Sequence, residues 1–374
     1  MKFTLSSQLL NNRLQTLAKV INSKNSMAIL GCFLFDVRDG RLTITSSDNE
    51  NVMSTVLDLD NVEGEGRFAV NAPTILNAVK ELAEQPLSFD VDLESYAMTL
   101  YYLNGHYSFN ATSAEEFPET KEVGEGATVI TIDGNVLSEC ISRSLFATAE
   151  DQLRPVMGSI FFDLTPDCLC IVASDGHKLV RNRNYAIKSE VPASFILPKK
   201  PSTLLKGLFG KDAGDVVIKF DNQGAEISFA TGRLNCALIE GRYPRYNSVI
   251  PQDNPNILTI DRKALLGALR RVLPFASESS QLVRLHIEAG RLEISSENID
   301  FAKSAKEELV CDYAGQNMSI GFKGSSLTEI LNNLNSDEVT MELADPSRAG
   351  VVVPVSQPEN EEIVMLIMPM LLND

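Results

Sequence analysis

The chain has 374 residues, 44% apolar and 22% charged, so it is long enough for two or three domains of an ordinary globular protein. Its formal net charge of −17 argues at first against a nucleic-acid-binding protein. No apolar run reaches the roughly 18 residues of a membrane-spanning helix. Because the N-terminal stretch MKFTLSSQLLNNRLQ is also a poor signal peptide, we expect a cytoplasmic protein.

Three segments of the chain open in the same way, with a short strand-like run followed by an amphipathic helical pattern. They are FTLSSQLLNNRLQTLAKVI from Phe3, VITIDGNVLSECISRSLF from Val129 and ILTIDRKALLGALRRVL from Ile257. An alternating strand that ends in a small acidic turn comes next: GRLTITSSDNE, CLCIVASDGHK and GRLEISSENID. We predict that Asp48, Asp175 and Glu297 lie in those turns.

A second strand-plus-helix unit follows in each segment: RFAVNAPTILNAVKEL, SFILPKKPSTLLKGL and SIGFKGSSLTEILNNL. An apolar residue before proline then recurs as Phe117-Pro118, Tyr243-Pro244 and Met368-Pro369. Landmarks that keep a spacing of about 125 residues indicate a threefold repeat. We predict an α+β fold in which each copy has two helices and about eight mostly antiparallel strands. Turn-rich stretches set the domains at 1–125, 126–253 and 254–374.

The six cysteines are scattered, and only Cys168 and Cys170 are close in sequence. A cysteine metal site needs a second ligand pair, and the sequence does not supply one. We therefore predict buried, reduced cysteines, no metal site and no cofactor.

Charge is separated along the chain, which weakens the objection to nucleic acid. The predicted helices are net basic, so the remainder of the chain is more acidic than the whole. Basic residues on or beside these helices include Arg13, Lys19, Lys24, Lys199, Lys200, Lys206 and Lys211. Basic helices with polar neighbours suit loose, sequence-independent contact with phosphates. The alternative is that lysine and arginine stand there for their helix propensity alone.

The residues that carry the repeat also resemble a known family. MKFT, AILGCFLFDVRDGRLTITSSDNE, VASDGHKLV, GRYPRYNSVIP and VMLIMPM are similar to the bacterial β sliding clamp, the β subunit of DNA polymerase III. The likeness runs through essentially the whole chain, with motifs in register in all three copies. It implies three tandem DNA-clamp domains, and two chains joined head to tail in a closed ring lined by helices.

The resemblance implies a processivity factor that encircles duplex DNA and slides along it. Modest, salt-screened phosphate contacts permit sliding. Such a protein is a non-catalytic accessory subunit, because nucleotide transfer belongs to other subunits of the holoenzyme. The implied partners are double-stranded DNA, a second copy of the chain, the polymerase catalytic subunit, the clamp loader and other replication and repair proteins.

Partners of that family dock a short linear motif into an apolar pocket between the second and third domains. The matching residues here are Met157, Ser174, Gly176, His177, Lys178, Leu179, Pro244, Val249, Leu366, Ile367, Met368, Pro369 and Met370. Methionine suits a site with several partners because it is flexible and polarizable. The alternative is that Met368 and Met370 are ordinary core or tail residues. Ser248 and the ending from Leu371 to Asp374 depart from the family pattern at the pocket rim.

Two further sets of residues follow from the resemblance. The matching DNA-contact residues are Lys24, Arg154, Lys199 and Lys200. At the ring interface, Tyr107 and Phe109 of one chain would meet Pro274 and Phe275 of the other. The alternative for these four is burial in the core of their own domains.

Two other interpretations were weighed against this one. Asp175 and His177 could orient each other as a general-base pair, but no nucleophile elbow, P-loop or dinucleotide fingerprint accompanies them. A three-domain, β-rich binding or adhesion protein would need an export signal and exposed aromatic residues, and the sequence favours neither.

Overall fold

The structure, a computed structural model, describes residues 1–22, 24, 27–151, 153–209 and 213–372. The chain forms two compact units, Met1–Leu137 with Leu204–Leu238 and Ser138–Thr203 with Ile239–Asp374. Each unit contains two of the four sheets. Within the described ranges, no helix is long and apolar enough to cross a membrane.

Six α-helices occur in the described residues, two in each predicted domain. They are α1 (Ser7–Ala18), α2 (Ala72–Val79), α3 (Gly134–Leu145), α4 (Lys199–Lys206), α5 (Arg262–Val272) and α6 (Gly324–Asn332).

The first helix of each copy begins where a strand ends, at a residue whose side chain caps it. The cap is Ser6 for α1, Asp133 for α3 and Asp261 for α5. Each accepts the backbone N–H three residues further on, at 3.1, 3.1 and 2.6 Å. Such a cap satisfies an amide that has no acceptor within the helix. The common start of the three helices therefore has a local cause in the sequence.

The strands follow the same repeat. The first copy contains β1 (Lys2–Ser6), β2 (Cys32–Arg38), β3 (Arg41–Ser47), β4 (Asn51–Asp58), β5 (Asp60–Glu63), β6 (Gly66–Asn71), β7 (Pro86–Val91), β8 (Ala97–Tyr102) and β9 (Gly105–Asn110). The second contains β10 (Thr128–Asp133), β11 (Ile160–Leu164), β12 (Leu169–Ser174), β13 (Lys178–Asn184), β14 (Ala193–Leu197), β15 (Asp215–Phe220), β16 (Gly224–Phe229) and β17 (Gly232–Ala237). The third contains β18 (Asn256–Asp261), β19 (Leu282–Glu288), β20 (Arg291–Asn298), β21 (Lys303–Val310), β22 (Asp312–Tyr313), β23 (Met318–Lys323), β24 (Glu338–Leu343), β25 (Gly350–Pro354) and β26 (Glu361–Ile367).

The first unit holds a five-stranded sheet, β5-β1-β7-β8-β9, and an eight-stranded sheet, β10-β15-β16-β17-β4-β3-β2-β6. Phenylalanines fill much of its core. The ring centroids of Phe3 and Phe89 lie 4.7 Å apart, and those of Phe35 and Phe68 lie 5.3 Å apart. Such close ring pairs add to the free energy gained from burial alone.

The second unit holds a nine-stranded sheet, β14-β11-β12-β13-β26-β25-β24-β18-β22, and a four-stranded sheet, β21-β20-β19-β23. The nine-stranded sheet is apolar on both faces. Side chains alternate between the faces along each strand, so a run of apolar residues such as Ile363–Ile367 supplies both of them. Leu179, Val364 and Leu366 belong to the cluster on one face. Val180, Met365 and Ile367 belong to the cluster on the other.

The predicted α+β fold class is confirmed, and each predicted strand-plus-helix unit forms. The predicted third turn is wrong, because Glu297 lies within β20 opposite Ser304 of β21. Ser296 and Asn298 are buried on either side of Glu297. The strand alternation therefore runs past the acidic residue, and the turn falls at residues 299–302 instead.

Successive copies are joined by pairing between equivalent strands. We call β4, β13 and β21 the hairpin strands, because each is the second strand of the equivalent hairpin in its copy, β3–β4, β12–β13 or β20–β21. β17, the last strand of the second copy, pairs antiparallel with the hairpin strand β4 of the first. β26, the last strand of the third copy, pairs antiparallel with the hairpin strand β13 of the second. Of the three last strands and the three hairpin strands, two take no part in these pairings. They are β9, the last strand of the first copy, and β21, the hairpin strand of the third. Both are edge strands of their sheets.

Candidate functional site

The turn between β12 and β13 is fixed by short hydrogen bonds. Asp175 Oδ1 accepts the backbone N–H groups of His177 and Lys178 at 2.8 and 2.9 Å. Ser174 Oγ donates to the Lys178 carbonyl at 2.9 Å and accepts from the Gly176 N–H at 3.1 Å. Gly176 has φ +94°, a backbone conformation that favours glycine. The exposed imidazole of His177 is thereby presented on an ordered turn.

Lys178 ties this turn to helix α6. Its Nζ lies 3.1 Å from Asp175 Oδ2 and 3.0 Å from Glu329 Oε2, and 5.9 Å from the ring centroid of Phe146. Burial lowers the pKa of Lys178, but Glu329 and Asp175 raise it by more, so its pKa is above the ordinary value. The ammonium therefore stays charged. No local pattern in the sequence could have identified Glu329.

The segment after β26 lies beside the same turn. The backbone N–H of Met368 donates to the His177 carbonyl at 2.8 Å, and that of Met370 donates to the Gly321 carbonyl at 2.8 Å. Pro369 and Met370 are half-buried. The backbone of the segment is thus fixed at two points.

Met368 is 41% exposed, which sets it apart from its counterparts in the other copies. Phe117 and Tyr243, which also precede the recurring proline, are both buried. The third copy therefore presents to solvent an apolar side chain at a position that belongs to the core elsewhere. An apolar group held in the open beside an ordered turn is typical of a binding surface.

An apolar cluster lies beneath this surface. It comprises Cys168, Cys170, Val172, Leu179, Ile196, Tyr243, Tyr246, Ile250, Ala349, Val351, Val364 and Leu366, with Val156, Phe161, Ile239 and Val353 against it. The rings of Phe161 and Tyr243 stack at 4.7 Å, and Tyr246 donates to Asp163 Oδ2 at 2.8 Å. These buried aromatics give the site a rigid base.

The structure brings most of the predicted pocket residues to one side of the second unit. Leu179 and Leu366 belong to the apolar cluster. Met157 adjoins Val156, which packs against the cluster, and Pro244 and Val249 adjoin the cluster members Tyr243 and Ile250 in sequence. Val249 is 56% exposed. Ile367 differs, because its side chain lies in the cluster on the opposite face and is 1% exposed. Only the backbone of Ile367 faces the turn, opposite Lys178.

Glu362 joins several parts of the site, and the sequence did not suggest it. Its carboxylate accepts from Arg181 at 2.6 Å, Arg183 at 3.0 Å and the Tyr185 hydroxyl at 2.6 Å. Burial raises the pKa of Glu362, but Tyr185 and the two arginines lower it by more, so its pKa lies below the ordinary value. Arg181 also donates to Asn247 Oδ1 at 3.0 Å. The carboxylate thus links β13, β26 and the segment that carries Val249.

The predicted DNA-contact residues differ in how free their charges are. Lys24 is exposed. Arg154 Nε lies 3.0 Å from Asp151 Oδ2. Lys199 is paired with Glu150, which precedes Asp151 in the sequence. The neighbouring carboxylates therefore bring Arg154 and Lys199 to one place and partly offset their charge. Lys200 is half-buried, and Lys211 lies outside the described residues.

The predicted interface residues do not belong to the buried core. Tyr107 and Phe109 are half-buried on the edge strand β9. Pro274 is exposed and Phe275 is 38% exposed. All four side chains retain apolar surface in the single chain.

The cysteines and the Asp175–His177 pair were the candidates for metal binding and for general-base chemistry. Within the described residues, no group of three or more His, Cys, Asp or Glu side chains is placed to hold a metal ion. Each of the six cysteines is buried, and burial raises the pKa of Cys170 to about 11. The carboxylate of Asp175 is occupied by backbone amides and Lys178, so it is not free to orient the His177 ring.

The charge of Asp175 is expected to stabilise its turn in a pH-dependent way. Burial raises the pKa of Asp175, but the Lys178 and His177 amides and the Lys178 ammonium lower it by more. A carboxyl whose pKa falls on folding contributes stability above its unfolded pKa of about 3.9, and this is lost as the pH falls through the folded pKa. Asp175→Asn should therefore lower the thermal midpoint at pH 7, and this difference should shrink below about pH 3.9. A constant difference across that range would contradict the assignment.

The chain is similar to known proteins in its domain families, its sequence and its fold. Models of the DNA polymerase III beta subunit match throughout: the N-terminal domain over residues 1–121, the central domain over 131–245 and the C-terminal domain over 247–371. The beta sliding clamp of Pseudomonas aeruginosa is 26% identical over 371 residues, covering 99% of this chain and 100% of the relative. That of Pseudomonas putida is 25% identical over 366 residues, covering 98% and 99%. A sliding clamp from P. aeruginosa, solved bound to griselimycin, matches with TM-score 0.94 at 24% identity over 100% of both chains.

Proposed function

Because the chain belongs to the DNA polymerase III beta subunit family, we propose that it encircles duplex DNA as a closed ring of two copies joined head to tail. It is a DNA sliding clamp, a processivity factor with no catalytic activity of its own. DNA and a DNA polymerase are its partners. The clamp loader and other replication and repair proteins are proposed partners, and the cytoplasm is the proposed location. Family membership sets aside the adhesion-protein interpretation.

The strand pairing within the chain supports ring closure. β4 pairs with β17 and β13 pairs with β26, which leaves β21 and β9 as the corresponding edges. An open edge is a template for another strand, and complementary edges on one chain favour head-to-tail assembly. Pairing of β21 with β9 of a second copy would continue the same rule. The predicted contact of Tyr107 and Phe109 with Pro274 and Phe275 would accompany it.

The basic helices support the proposed path of DNA. Lys24, Lys199 and Lys200 are the proposed phosphate contacts, together with Arg154. Arg262, a further basic residue at the start of α5, is not among the proposed contacts, because it donates to the carbonyls of Ser336 at 2.6 Å and Leu331 at 3.0 Å. Weak phosphate contacts suit a protein that must slide, since each fixed contact would slow it.

The proposed docking site for partner peptides rests on one observation above all. Met368 is 41% exposed, where its counterparts in the other copies are buried, and its backbone is held against the turn that carries His177. Leu179 and Leu366 form the proposed floor, and Val249, Pro244 and Met157 the proposed walls.

Replacing Met368 with alanine is expected to weaken binding of a partner peptide about tenfold, because burying a methionine side chain contributes roughly 1.5–3 kcal/mol. The measurement is fluorescence anisotropy of a labelled Gln-Leu-x-Leu-Phe peptide, for which we expect a dissociation constant of about micromolar. Met27→Ala is the matched control, since Met27 is also 41% exposed but lies in the other unit. Equal affinity of the two variants would remove the proposed docking site.

A further inference from the structure

The turn between β20 and β21 is unusually apolar for a surface turn. Ile299 is 83% exposed and Phe301 is 70% exposed. The corresponding turns of the other two copies are polar, Asp48-Asn49-Glu50 and Asp175-Gly176-His177. Two large apolar side chains left in solvent on one short turn mark a surface that is covered in the assembled protein.

The contacts of the two polar turns indicate what covers the third. The Glu50 carbonyl accepts the backbone N–H of Ala237, at the end of β17, at 2.9 Å. The His177 carbonyl accepts that of Met368, just after β26, at 2.8 Å. In both cases the turn contacts the end of the last strand of the next copy in the chain. Within residues 1–372 as the structure describes them, the third copy is the last of the three, and β9 is the last strand of a copy that lies at the edge of its sheet.

We propose that Ile299 and Phe301 pack against the end of β9, near Phe109 and Asn110, in a second copy of this chain, and that the two copies are held together by apolar contact with little ionic contribution. The inference rests on the proposed dimer. It adds two residues to the proposed contact, and it adds that apolar rather than ionic interactions close the ring.

The facing surface has matching chemistry. At the end of β9, Ala97 lies opposite Asn110 in the register and is exposed, and Tyr96, whose carbonyl accepts the Ala111 N–H at 2.8 Å, is half-buried. On β9 itself, Tyr107 and Phe109 are half-buried. A patch of aromatic and aliphatic side chains beside an open strand edge is suited to the apolar turn of another copy.

The charges on the two edges explain why ion pairs should contribute little. β9 has the sequence GHYSFN and contains no acidic or basic residue apart from one histidine. Lys306 of β21 pairs with Glu293 at 2.6 Å within its own sheet. Glu307 accepts from Arg271 at 2.9 Å, and Glu308 is paired with Arg291. Lys303 lies over the Phe301 ring at 5.6 Å. The charges of β21 are thus engaged within the same copy, and β9 offers no opposite charge.

Sedimentation velocity over a dilution series tests this proposal. We expect the dissociation constant of the wild-type dimer to change less than about threefold between 0.1 and 1 M NaCl, since salt screens ionic but not apolar contacts. Ile299→Ser and Phe301→Ser should each raise it at least about tenfold. Val191→Ser is the matched control, because Val191 is 73% exposed on a loop outside the proposed contact.

The outcomes separate this inference from the function on which it rests. A wild-type chain that stays monomeric at every concentration would overturn both the dimer and the turn contact. A stable dimer that both serine variants leave unchanged would overturn only the turn contact. A dimer that dissociates steeply with added salt would overturn the apolar character of the closure. Because both side chains are exposed in the single chain, loss of folding should not obscure the result.

Discussion

Glu361→Ala is expected to lower the free energy of unfolding by about 3 kcal/mol or more. Glu361 Oε2 lies 2.9 Å from Arg143 Nη2, and both side chains are only 7% exposed. The second carboxylate near Arg143, that of Glu139, is 3.5 Å away and largely exposed. Removing Glu361 therefore leaves a buried guanidinium without its close partner. Such an uncompensated charge costs more than the ion pair itself contributes.

Denaturant-induced unfolding of Glu361→Ala measures this cost, and Glu359→Ala is the control because Glu359 is exposed nearby. A double variant, Arg143→Met with Glu361→Leu, should recover most of the stability, since apolar replacement of a buried pair is often close to neutral. If Glu361→Ala and Glu359→Ala unfold at the same denaturant concentration, the pair has no structural role. Peptide affinity should fall with Glu361→Ala as well, because Glu361 begins the strand that leads to Met368.

The parts of the fold that could be predicted were those with a local cause. The helix starts at Ser6, Asp133 and Asp261 depend on a capping side chain and a change from alternating to helical periodicity, and both are visible in a short window. The prediction of the third turn was wrong for the opposite reason. Whether Glu297 ends a strand depends on the burial of Ser296 and Asn298 beneath other elements, which the local pattern does not encode.

The predicted pocket residues came from the resemblance, whereas their supporting residues could not be found from sequence. Arg143 and Glu361 are 218 positions apart, and Arg181 and Glu362 are 181 apart. Neither pair has a fixed spacing that a motif could express. The resemblance also places residues without giving side-chain direction, which is why Ile367 was assigned to the pocket although strand alternation turns it to the opposite face.

Fewer basic side chains are available to phosphates than the number on the helices indicates. A count of lysines and arginines on helices treats each as available to a phosphate. Arg262 instead donates to the carbonyls of Leu331, near the end of α6, and Ser336, in the loop that follows it. Lys199 is paired with Glu150. These partners are set by tertiary packing. The available positive charge is therefore smaller than the sequence indicates, which agrees with weak and sliding contact rather than tight binding.

Gly232→Ala is expected to destabilise the junction of β17 with β4 by about 2–3 kcal/mol, and by more if the strands separate. A Cβ added to Gly232 would lie 2.1 Å from the Ser54 carbonyl oxygen and 3.1 Å from its carbonyl carbon. Both are backbone atoms of a paired strand, so no side chain can move aside. Thr55, opposite Gly232 in the register, already donates through its hydroxyl to the Thr231 carbonyl at 2.6 Å. The strands cannot shift apart there without losing these bonds.

Hydrogen exchange of the β4 and β17 amides measures this junction directly, and Gly31→Ala is the control because no atom lies within 4 Å of its added Cβ. Gly31→Ala should change stability by no more than about 0.5 kcal/mol. Gly232→Ala should lose protection in β4 and β17, whereas β13 and β26 in the other unit should keep theirs. If Gly232→Ala also binds the partner peptide normally, then peptide binding does not depend on the β4–β17 pairing. Unchanged exchange at β4 would mean that this pairing tolerates a side chain at position 232, and the expected loss of stability would be wrong.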